Sequence, residues 1–333
     1  MRKIIFRWVK LVILVYSVIG IAQHPDNLKP SVGMLLGVSA LMIVTVSPLS
    51  AHAVDDCIRY LAYVHLTAFF LQLVYYYAVG DVLNYHAFLG LEPRLVASVF
   101  RPAGLFREPA IYCFFACSLF LLRRQRAVPL TVLDALLLTS MALSLSLWGT
   151  LFAYFLFALF CPRRALVTTL VVGVLVLVSM QFLDYVHMPV YLLFKSRLSD
   201  LGSDASFQGR YGGTFSLLGS ALTDPSVVFG NGINNFFEEV GSNGFAFIVN
   251  SMGLIGFLLL LFLCLLLAPP RQWVVFLLGM TIVLTAAPLW KTLYFWTWMG
   301  LMLKPMIDTP RKRTAASIAP AQGTVTTFSG RRP

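Results

Sequence analysis

The sequence predicts an all-α fold, a polytopic bundle of about ten transmembrane helices with two large loops on its outer face. Of the 333 residues, 59% are hydrophobic and only 12% are charged, whereas soluble domains carry about 25% charged residues. The apolar residues form runs of about 20, the length that crosses the hydrocarbon core of a bilayer. The short basic segments between these runs alternate in a way that places them on one side of a membrane. The chain is therefore expected to contact the lipid bilayer directly.

The apolar runs predict ten spans and define the domain organisation. The spans cover residues 8–22, 32–49, 60–79, 109–122, 128–145, 147–161, 165–183, 244–267, 272–289 and 291–304. A membrane domain therefore occupies 1–304, with long loops at about 80–108 and 184–243. The tail at 305–333 is polar and is predicted to be disordered. Because the fifth and sixth spans are nearly continuous, nine or eleven spans are also compatible with the sequence.

The positions of the charges predict the orientation. With a cytoplasmic N-terminus, 17 of the 25 basic residues fall in cytoplasmic segments, as the positive-inside rule expects. Ten of the 14 acidic residues lie on the outer face. The outer face also holds the other eight basic residues, namely Lys29, Arg94, Arg101, Arg107, Lys195, Arg197, Arg210 and Lys291. Both termini are then cytoplasmic, and the formal net charge of +11 indicates membrane topology rather than nucleic-acid binding.

Neither a metal nor a cofactor is expected. The five cysteines form no CxxC pair and no cluster with histidine at metal-ligand spacing, so no disulfide framework or zinc site is predicted. Cys113 and Cys117 are one helical turn apart and are interpreted as small buried residues. His65 and His187 are likewise assigned structural roles.

The first outer loop carries a candidate anion site at the start of the fourth span. The segment runs from Arg101 through Arg107 and Glu108 to Pro109. Pro109 is predicted to open the helix, where its missing N–H costs nothing. Glu108 then lies at the positive end of that helix, a favourable charge–dipole contact in itself. Arginine forks also bind phosphate oxygens in pairs, so packing and anion binding both remain open.

The second outer loop carries the remaining candidates, spread over about 60 residues. Arg197 and Arg210 are its only arginines, and glycines on either side of Asn231 permit close backbone approach to a ligand. Acidic and amide side chains follow at Asp224, Glu238 and Asn243. The competing interpretation for the charged residues is a solvated surface.

Several residues inside the spans are interpreted as structural. Asp134 is an acid within a span, where a functional role is the default hypothesis, but its place near the cytoplasmic end predicts a local partner such as Arg126. The small residues Ser140, Ser144, Ser146, Gly149 and Thr150 are assigned to helix packing. Gly253 and Gly256 also predict close packing of the span that carries them.

Together these stretches resemble the O-antigen polymerase and ligase superfamily of bacterial inner membranes. The resemblance rests on the pattern from Arg101 to Pro109, the serine-containing pair of spans at 131–161, the large arginine-bearing loop with its Gly-Asn-Gly segment, and the Asn243 start that leads through Gly253 to Gly256. It covers about residues 100–304. The chain is shorter than most members, which usually have one or two more spans. Ligases tend to carry a histidine where this chain has Ser242, which favours a polymerase over a ligase.

The resemblance implies a polymerase of O-antigen, capsule or exopolysaccharide in the inner membrane. Such an enzyme transfers a glycan from polyprenyl diphosphate to a hydroxyl of a lipid-linked acceptor, on the periplasmic face and without a metal. Arg101, Arg210 and Glu108 would be catalytic. Substrate binding would fall to Arg107, Arg197, Asp224, Asn231, Glu238 and Asn243. The general base remains open among Glu108, Asp224, Glu238, Glu239 and His187.

The partners that this reading implies are a polyprenyl-diphosphate-linked oligosaccharide, a chain-length regulator and a flippase. We expect Arg101, Arg197 and Arg210 to line one cavity, with Glu108 near its rim. Two other functions stay open. A transporter or flippase would show internal repeats, or charged and helix-breaking residues near mid-membrane, and neither is evident in the sequence. A non-enzymatic subunit of an export machine would not depend on the loop arginines.

Overall fold

The computed structural model describes a helical protein with one very small hairpin. It describes residues 2–23, 28–48, 50–89, 95–96, 99–125, 129–161, 224–230, 244–267, 273–285 and 293–308, together with Val167 and Gly219. The helices are α1 Arg2–Gln23, α2 Leu28–Val46, α3 Ala51–Val79, α4 Pro109–Gln125, α5 Val132–Leu143, α6 Leu147–Phe160, α7 Pro225–Phe229, α8 Gly244–Leu267, α9 Trp273–Thr285 and α10 Leu293–Asp308. A 3₁₀ turn spans Ala87–Leu89, and the strands β1 Leu95–Val96 and β2 Val99–Phe100 pair antiparallel.

The predicted all-α class is confirmed within this part of the chain. Nine of the ten predicted spans coincide with a helix, and the seventh, at 165–183, lies outside the described residues except for Val167. The largest difference is at α3, which begins at Ala51 rather than at residue 60. The Ser50 hydroxyl caps it by accepting a hydrogen bond from the Ala53 N–H at 3.1 Å. A search for apolar runs misses these first turns because they carry Asp55, Asp56 and Arg59.

Two of the described helices are long and apolar enough to cross a membrane, His52–Val79 and Ile248–Leu267. Many large apolar side chains on α1, α2 and α3 are also exposed. Ile43 is 69% exposed, Tyr60 71% and Val74 61%. Exposed apolar surface of this extent is typical of a site that meets a membrane or another protein.

The core is organised around α4. This helix packs against α3, α5, α6, α9 and α10, and 15 of its 17 residues are buried. A helix that is apolar around its whole circumference is covered either by other elements or by lipid, and here other helices cover α4. Cys113 and Cys117 are buried within it, as predicted.

A second set of contacts joins the helices around α4. The helix α2 packs along α10, and α1 packs on both α2 and α8. The Lys304 ammonium on α10 donates a hydrogen bond to the Ser47 carbonyl just beyond α2, at 2.6 Å. The Gln125 amide at the end of α4 donates to the Met302 carbonyl on α10. These polar contacts pin the ends of three helices at the same end of the bundle.

A buried ion cluster closes the junction between α4 and α5. The Arg123 Nε lies 2.7 Å from one carboxylate oxygen of Asp134, and the Arg124 Nη2 lies 3.0 Å from the other. Asp134 also accepts hydrogen bonds from the N–H and hydroxyl of Thr131, at 2.8 and 2.9 Å. The prediction that Asp134 has a local arginine partner is thus confirmed, although the arginines seen to contact it are Arg123 and Arg124. Arg126 lies outside the described residues.

Removal of the Asp134 charge is expected to destabilise the fold. Asp134→Asn leaves two buried guanidinium groups without a counter-charge, which costs about 3–5 kcal/mol in comparable buried pairs. The matched control is Asp56→Asn, which breaks the exposed Asp56–Arg59 pair at 4.0 Å and should change stability by less than about 1 kcal/mol. Unfolding in detergent micelles measures both, and equal effects would contradict the role given to the buried cluster.

Candidate functional site

The first outer loop folds back onto α3. The helix ends at Gly80, which adopts the left-handed conformation with φ 75°, a conformation that favours glycine. The Tyr85 hydroxyl then donates a hydrogen bond to the Ala68 carbonyl in α3, at 3.1 Å. Burial raises the pKa of the Tyr85 hydroxyl. The chain then reaches the small hairpin of β1 and β2, which leads directly into Arg101.

A single amide, Gln72 in α3, holds the segment that follows Arg101. Its Oε1 accepts hydrogen bonds from the N–H groups of Ala103, at 3.1 Å, and Gly104, at 2.8 Å. Its Nε2 donates to the Leu83 carbonyl at 3.1 Å. Gln72 is buried, and a buried amide with all of these bonds made positions its partners firmly. One side chain therefore fixes two separate parts of the loop.

Close packing against α3 completes the anchor. Gly104 has φ 58°, and a Cβ at this position would lie 3.2 Å from the His65 carbonyl. The Phe106 ring stacks on the His65 ring with centroids 5.0 Å apart, and His65 also contacts Phe115 at 4.2 Å. The imidazole of His65 thus packs between aromatic rings, in line with the structural role predicted for it.

The candidate charged side chains lie around this anchored segment. Arg101 and Glu108 are half-buried, whereas Arg107 is exposed. The helix α4 begins at Pro109, as predicted, and the Glu108 carbonyl accepts the first helical hydrogen bond, from the Tyr112 N–H at 3.1 Å. Glu108 therefore lies at the N-terminus of α4, where the helix dipole favours negative charge.

A buried polar cluster of Tyr112, Cys113, Ser140 and Ser144 lies beside the first turn of α4. The Tyr112 hydroxyl donates to the Ser140 Oγ at 2.6 Å, and the Cys113 Sγ lies 2.9 Å from the Ser144 Oγ. A Cβ at Gly149 would lie 3.0 Å from the Cβ of Cys113, so α6 can approach α4 only with glycine there. These contacts confirm the packing role predicted for the small residues of α5 and α6.

The first outer loop is joined to α3 by the hydrogen bonds of Gln72 and continues directly into α4 at Pro109. A backbone held in this way keeps its position when a ligand arrives.

Asp224 occupies a different place, at the start of α7. Its carboxylate caps this short helix by accepting a hydrogen bond from the Ser226 N–H at 2.8 Å. Hydrogen bonds from the Ser226 side chain and backbone hold the pKa of Asp224 below its ordinary value. A carboxylate with a lowered pKa is a weaker base, which counts against Asp224 among the candidate general bases.

The helix α7 packs on α8 through two glycines. Gly230 and Gly253 have φ 90° and 72°, and a Cβ on Gly230 would lie 2.6 Å from the Ser251 carbonyl oxygen. A Cβ on Gly253 would lie 2.6 Å from the Gly230 nitrogen. The close packing predicted at Gly253 is confirmed, and its partner is the backbone of α7. Gly253 also interrupts α8 with non-helical angles, so the absence of a helix break inferred from the sequence is wrong.

The structure describes four of the nine predicted site residues. Arg101, Arg107 and Glu108 lie together in one short segment, and Asp224 caps α7. The other five lie outside the described residues, namely Arg197, Arg210, Asn231, Glu238 and Asn243. The expected cavity shared by Arg101, Arg197 and Arg210 therefore remains a prediction.

Sequence reasoning missed Gln72 as a structural determinant of the first loop, and it assigned Gly230 to ligand approach rather than to packing against α8. The signal for Gln72 was present, because a lone amide in the apolar run of α3 requires a polar partner. Nothing in the sequence identified that partner. Among the described residues, no three His, Cys, Asp or Glu side chains group as a metal site would require.

Comparisons of the chain with family models, with curated proteins and with solved structures found no match.

Loss of the Gln72 amide is expected to loosen the first loop. Gln72→Leu leaves the buried N–H groups of Ala103 and Gly104 without their acceptor, at a cost of about 1–3 kcal/mol for each group. Amide hydrogen exchange of residues 101–106 should then speed up, with little change elsewhere. Ser39→Ala is the control, since the Ser39 hydroxyl donates a hydrogen bond within its own helix, to the Leu35 carbonyl. Unchanged exchange in Gln72→Leu would show that the loop is held by other contacts.

The contact of α7 with α8 is expected to tolerate no side chain. Gly253→Ala and Gly80→Ala both place a residue at positive φ, which costs about 1–2 kcal/mol. Only Gly253 also meets backbone atoms, because nothing lies within 4 Å of a Cβ at Gly80. Gly253→Ala should therefore lower the midpoint of thermal unfolding clearly more than Gly80→Ala. Equal shifts would mean that α7 can move away freely.

Proposed function

We propose that the chain is a multi-pass inner-membrane enzyme that polymerises the repeat units of a surface polysaccharide. The membrane assignment is supported by the two long apolar helices, by the exposed apolar side chains of α1 to α3 and by the distribution of charge in the sequence. We place the ten spans with both termini in the cytoplasm and both long loops in the periplasm. The resemblance to O-antigen polymerases supplies the reaction.

The observation that carries this proposal is the fixed segment from Arg101 to Glu108. A polyprenyl diphosphate donor presents a compact group of negative charge at the membrane surface. Arg101 and Arg107 supply permanent positive charge, and the N-terminus of α4 adds the positive end of its dipole. Because Gln72 and Gly104 hold the backbone of this segment against α3, the cost of ordering it is met before the substrate binds.

The proposed reaction is a displacement at the anomeric carbon of the donor glycan. The bond from this carbon to the diphosphate oxygen breaks, and the bond to the acceptor hydroxyl oxygen forms. Negative charge develops on the departing diphosphate, where Arg101 and, from the second loop, Arg210 would stabilise it. The hydroxyl proton passes to a carboxylate, for which we propose Glu108 because it lies in the same short segment as Arg101 and Arg107.

The remaining predicted residues complete the proposed substrate site. Arg107 and Arg197 would bind phosphate oxygens, and Asn231, Glu238 and Asn243 would contact sugar hydroxyls. Asp224 would act indirectly, by capping α7 and so placing the Gly-Asn-Gly segment that follows it. A chain-length regulator and a flippase are the proposed partners.

A transporter is the second candidate, because α8 is broken in its apolar interior. Many transporters bind their substrates where a membrane helix is interrupted, and α8 is interrupted at Gly253. The hydroxyl of Ser251 beside this break is fully buried and has no hydrogen-bond partner among the described residues. On this reading the chain would move a glycolipid across the membrane without changing its covalent structure.

Surface-polysaccharide length in a strain that lacks the gene tests the two functions. A polymerase predicts glycans of a single repeat unit at the surface of the deletion strain, and long chains after complementation. Arg101→Ala and Arg210→Ala should each lower elongation by roughly 100-fold to 1,000-fold, the effect of losing one donor to a developing negative charge. Arg59→Ala is the control, since Arg59 is exposed and belongs to the other predicted face.

The outcomes separate the candidates. A transporter predicts that no repeat unit reaches the surface of the deletion strain and that lipid-linked units accumulate inside. Normal elongation by both arginine variants would contradict the polymerase and would fit a non-enzymatic subunit.

A further inference from the structure

The first outer loop runs back along one face of α3 instead of standing beyond the end of that helix. Phe100 contacts Tyr76, with ring centroids 5.1 Å apart, and Phe106 stacks on His65 at 5.0 Å. The hydrogen bonds of Gln72 lie between these two contacts. Because an α-helix rises about 1.5 Å per residue, the loop follows α3 over roughly 16 Å of its length.

The exposed ion pair of Asp56 and Arg59 limits where the hydrocarbon core of the membrane can begin on α3. Charged side chains on the outside of a helix stay out of hydrocarbon because their transfer into it is costly. The core therefore begins no earlier than Tyr60, and about 20 helical residues are needed to cross it. Its outer limit then falls at Val79 or beyond. Tyr77 and Val79 are 73% and 59% exposed, as apolar side chains that meet lipid would be.

These limits place the middle of the candidate anion segment inside the membrane. Gln72 lies about 10 Å below Val79 along the helix, and His65 lies about 21 Å below it, at about 1.5 Å per residue. Ala103 is held at the level of Gln72, and Phe106 lies at the level of His65. The segment is therefore at the depth of the lipid chains rather than above the membrane surface.

The turn between α5 and α6 reaches the same depth from the opposite side. These helices have 12 and 14 residues, so that they are about 18 and 21 Å long and too short to cross about 30 Å of hydrocarbon. Their connecting turn contacts α4 where the Ser144 Oγ lies 2.9 Å from the Cys113 Sγ. This part of α4 is level with Phe69 of α3, since the Tyr112 ring stacks on Phe69 at 4.7 Å. The loop and the turn therefore meet inside the bundle.

The charged side chains of the loop require water at this depth. Arg107 is exposed, and Arg101 and Glu108 are half-buried, so part of each side chain is open to its surroundings. Ionisable residues within a membrane face the interior of a bundle or a water-filled cavity. Irregular backbone at this depth is likewise buried in protein or lines such a cavity. A water-filled recess that opens to the outer side satisfies both conditions.

We propose that the first outer loop re-enters the membrane and that Arg101, Arg107 and Glu108 line a water-filled recess in its outer half. The anion site then lies below the plane of the phospholipid headgroups. A lipid-linked diphosphate reaches it by descending about 10 Å from the outer limit of the hydrocarbon, the distance from Val79 to Gln72 along α3. The inference rests on the membrane assignment of the proposed function, but it does not depend on glycosyl transfer.

Spin labels on introduced cysteines test both the depth of the segment and its contact with water. The exposed Cys57 and the half-buried Cys161 are first replaced by alanine, and the three buried cysteines are kept. Labels are then attached to Arg107→Cys, to Leu71→Cys on the exposed face of α3, and to Asp81→Cys just beyond the end of α3. All three positions are exposed.

The full-length variants are reconstituted in phospholipid vesicles, and the relaxation of each label is measured with oxygen, which concentrates in hydrocarbon, and with a water-soluble nickel chelate. We expect Leu71→Cys to respond to oxygen and not to the chelate, and Asp81→Cys to respond to the chelate. Arg107→Cys should respond to the chelate as strongly as Asp81→Cys. In doubly labelled protein, Arg107→Cys should nevertheless lie closer to Leu71→Cys than to Asp81→Cys, because the recess is level with Leu71.

Three results would overturn the proposal. A response of Leu71→Cys to the chelate would place this level of α3 outside the membrane. A response of Arg107→Cys to oxygen alone would mean that the segment faces lipid and that no recess holds water there. A shorter distance from Arg107→Cys to Asp81→Cys than to Leu71→Cys would place the loop above the membrane. None of these readouts depends on glycan elongation, so failure of the recess and failure of the polymerase are distinguished.

Discussion

A polar group buried in this bundle is costly unless it finds a partner inside the protein, because neither a packed apolar core nor lipid supplies water to replace a missing bond. The helix α4 shows how far this constraint shapes the structure. It is buried on all sides, and polar side chains near both of its ends have partners. At one end Tyr112 and Cys113 bond to serines of α5 and its C-terminal turn. At the other end Arg123 and Arg124 share the carboxylate of Asp134.

The candidate site follows from the same requirement. The first outer loop approaches α3 with buried N–H groups that need an acceptor, and Gln72 provides it. Once that amide is in place, the backbone on either side of Arg101 and Glu108 has little freedom. The charged side chains then extend from a fixed backbone, which is the arrangement that binding of a diphosphate would require.

The second constraint is steric. It lies in Gly253 of α8 and in Gly230, which directly follows α7. Their backbones come so close that a methyl group on either one would overlap main-chain atoms. The large second loop thereby meets the apolar part of the bundle at Gly253, where α8 is interrupted. An interrupted membrane helix is compatible with a transporter as well as with an enzyme. The arginine-bearing segment at the start of α4 is what favours the enzyme.

The sequence by itself determined the helical class, the places of nine described helices and the opening of α4 at Pro109. These features are local, since the length of an apolar run and the missing N–H of a proline act within a few residues. The start of α3 was not predicted from hydropathy, because its first turns carry charged residues and the Ser50 cap adds nothing to hydropathy.

Only the tertiary structure decided which partners the polar and glycine residues have. Asp134 pairs with both Arg123 and Arg124 at the end of α4. Gln72 bonds to the backbone some 31 and 32 residues further along the chain, and Gly253 meets Gly230 across two elements. Such partners are set by how helices pack in space, and no local pattern of residue types encodes a contact between segments that are distant along the chain.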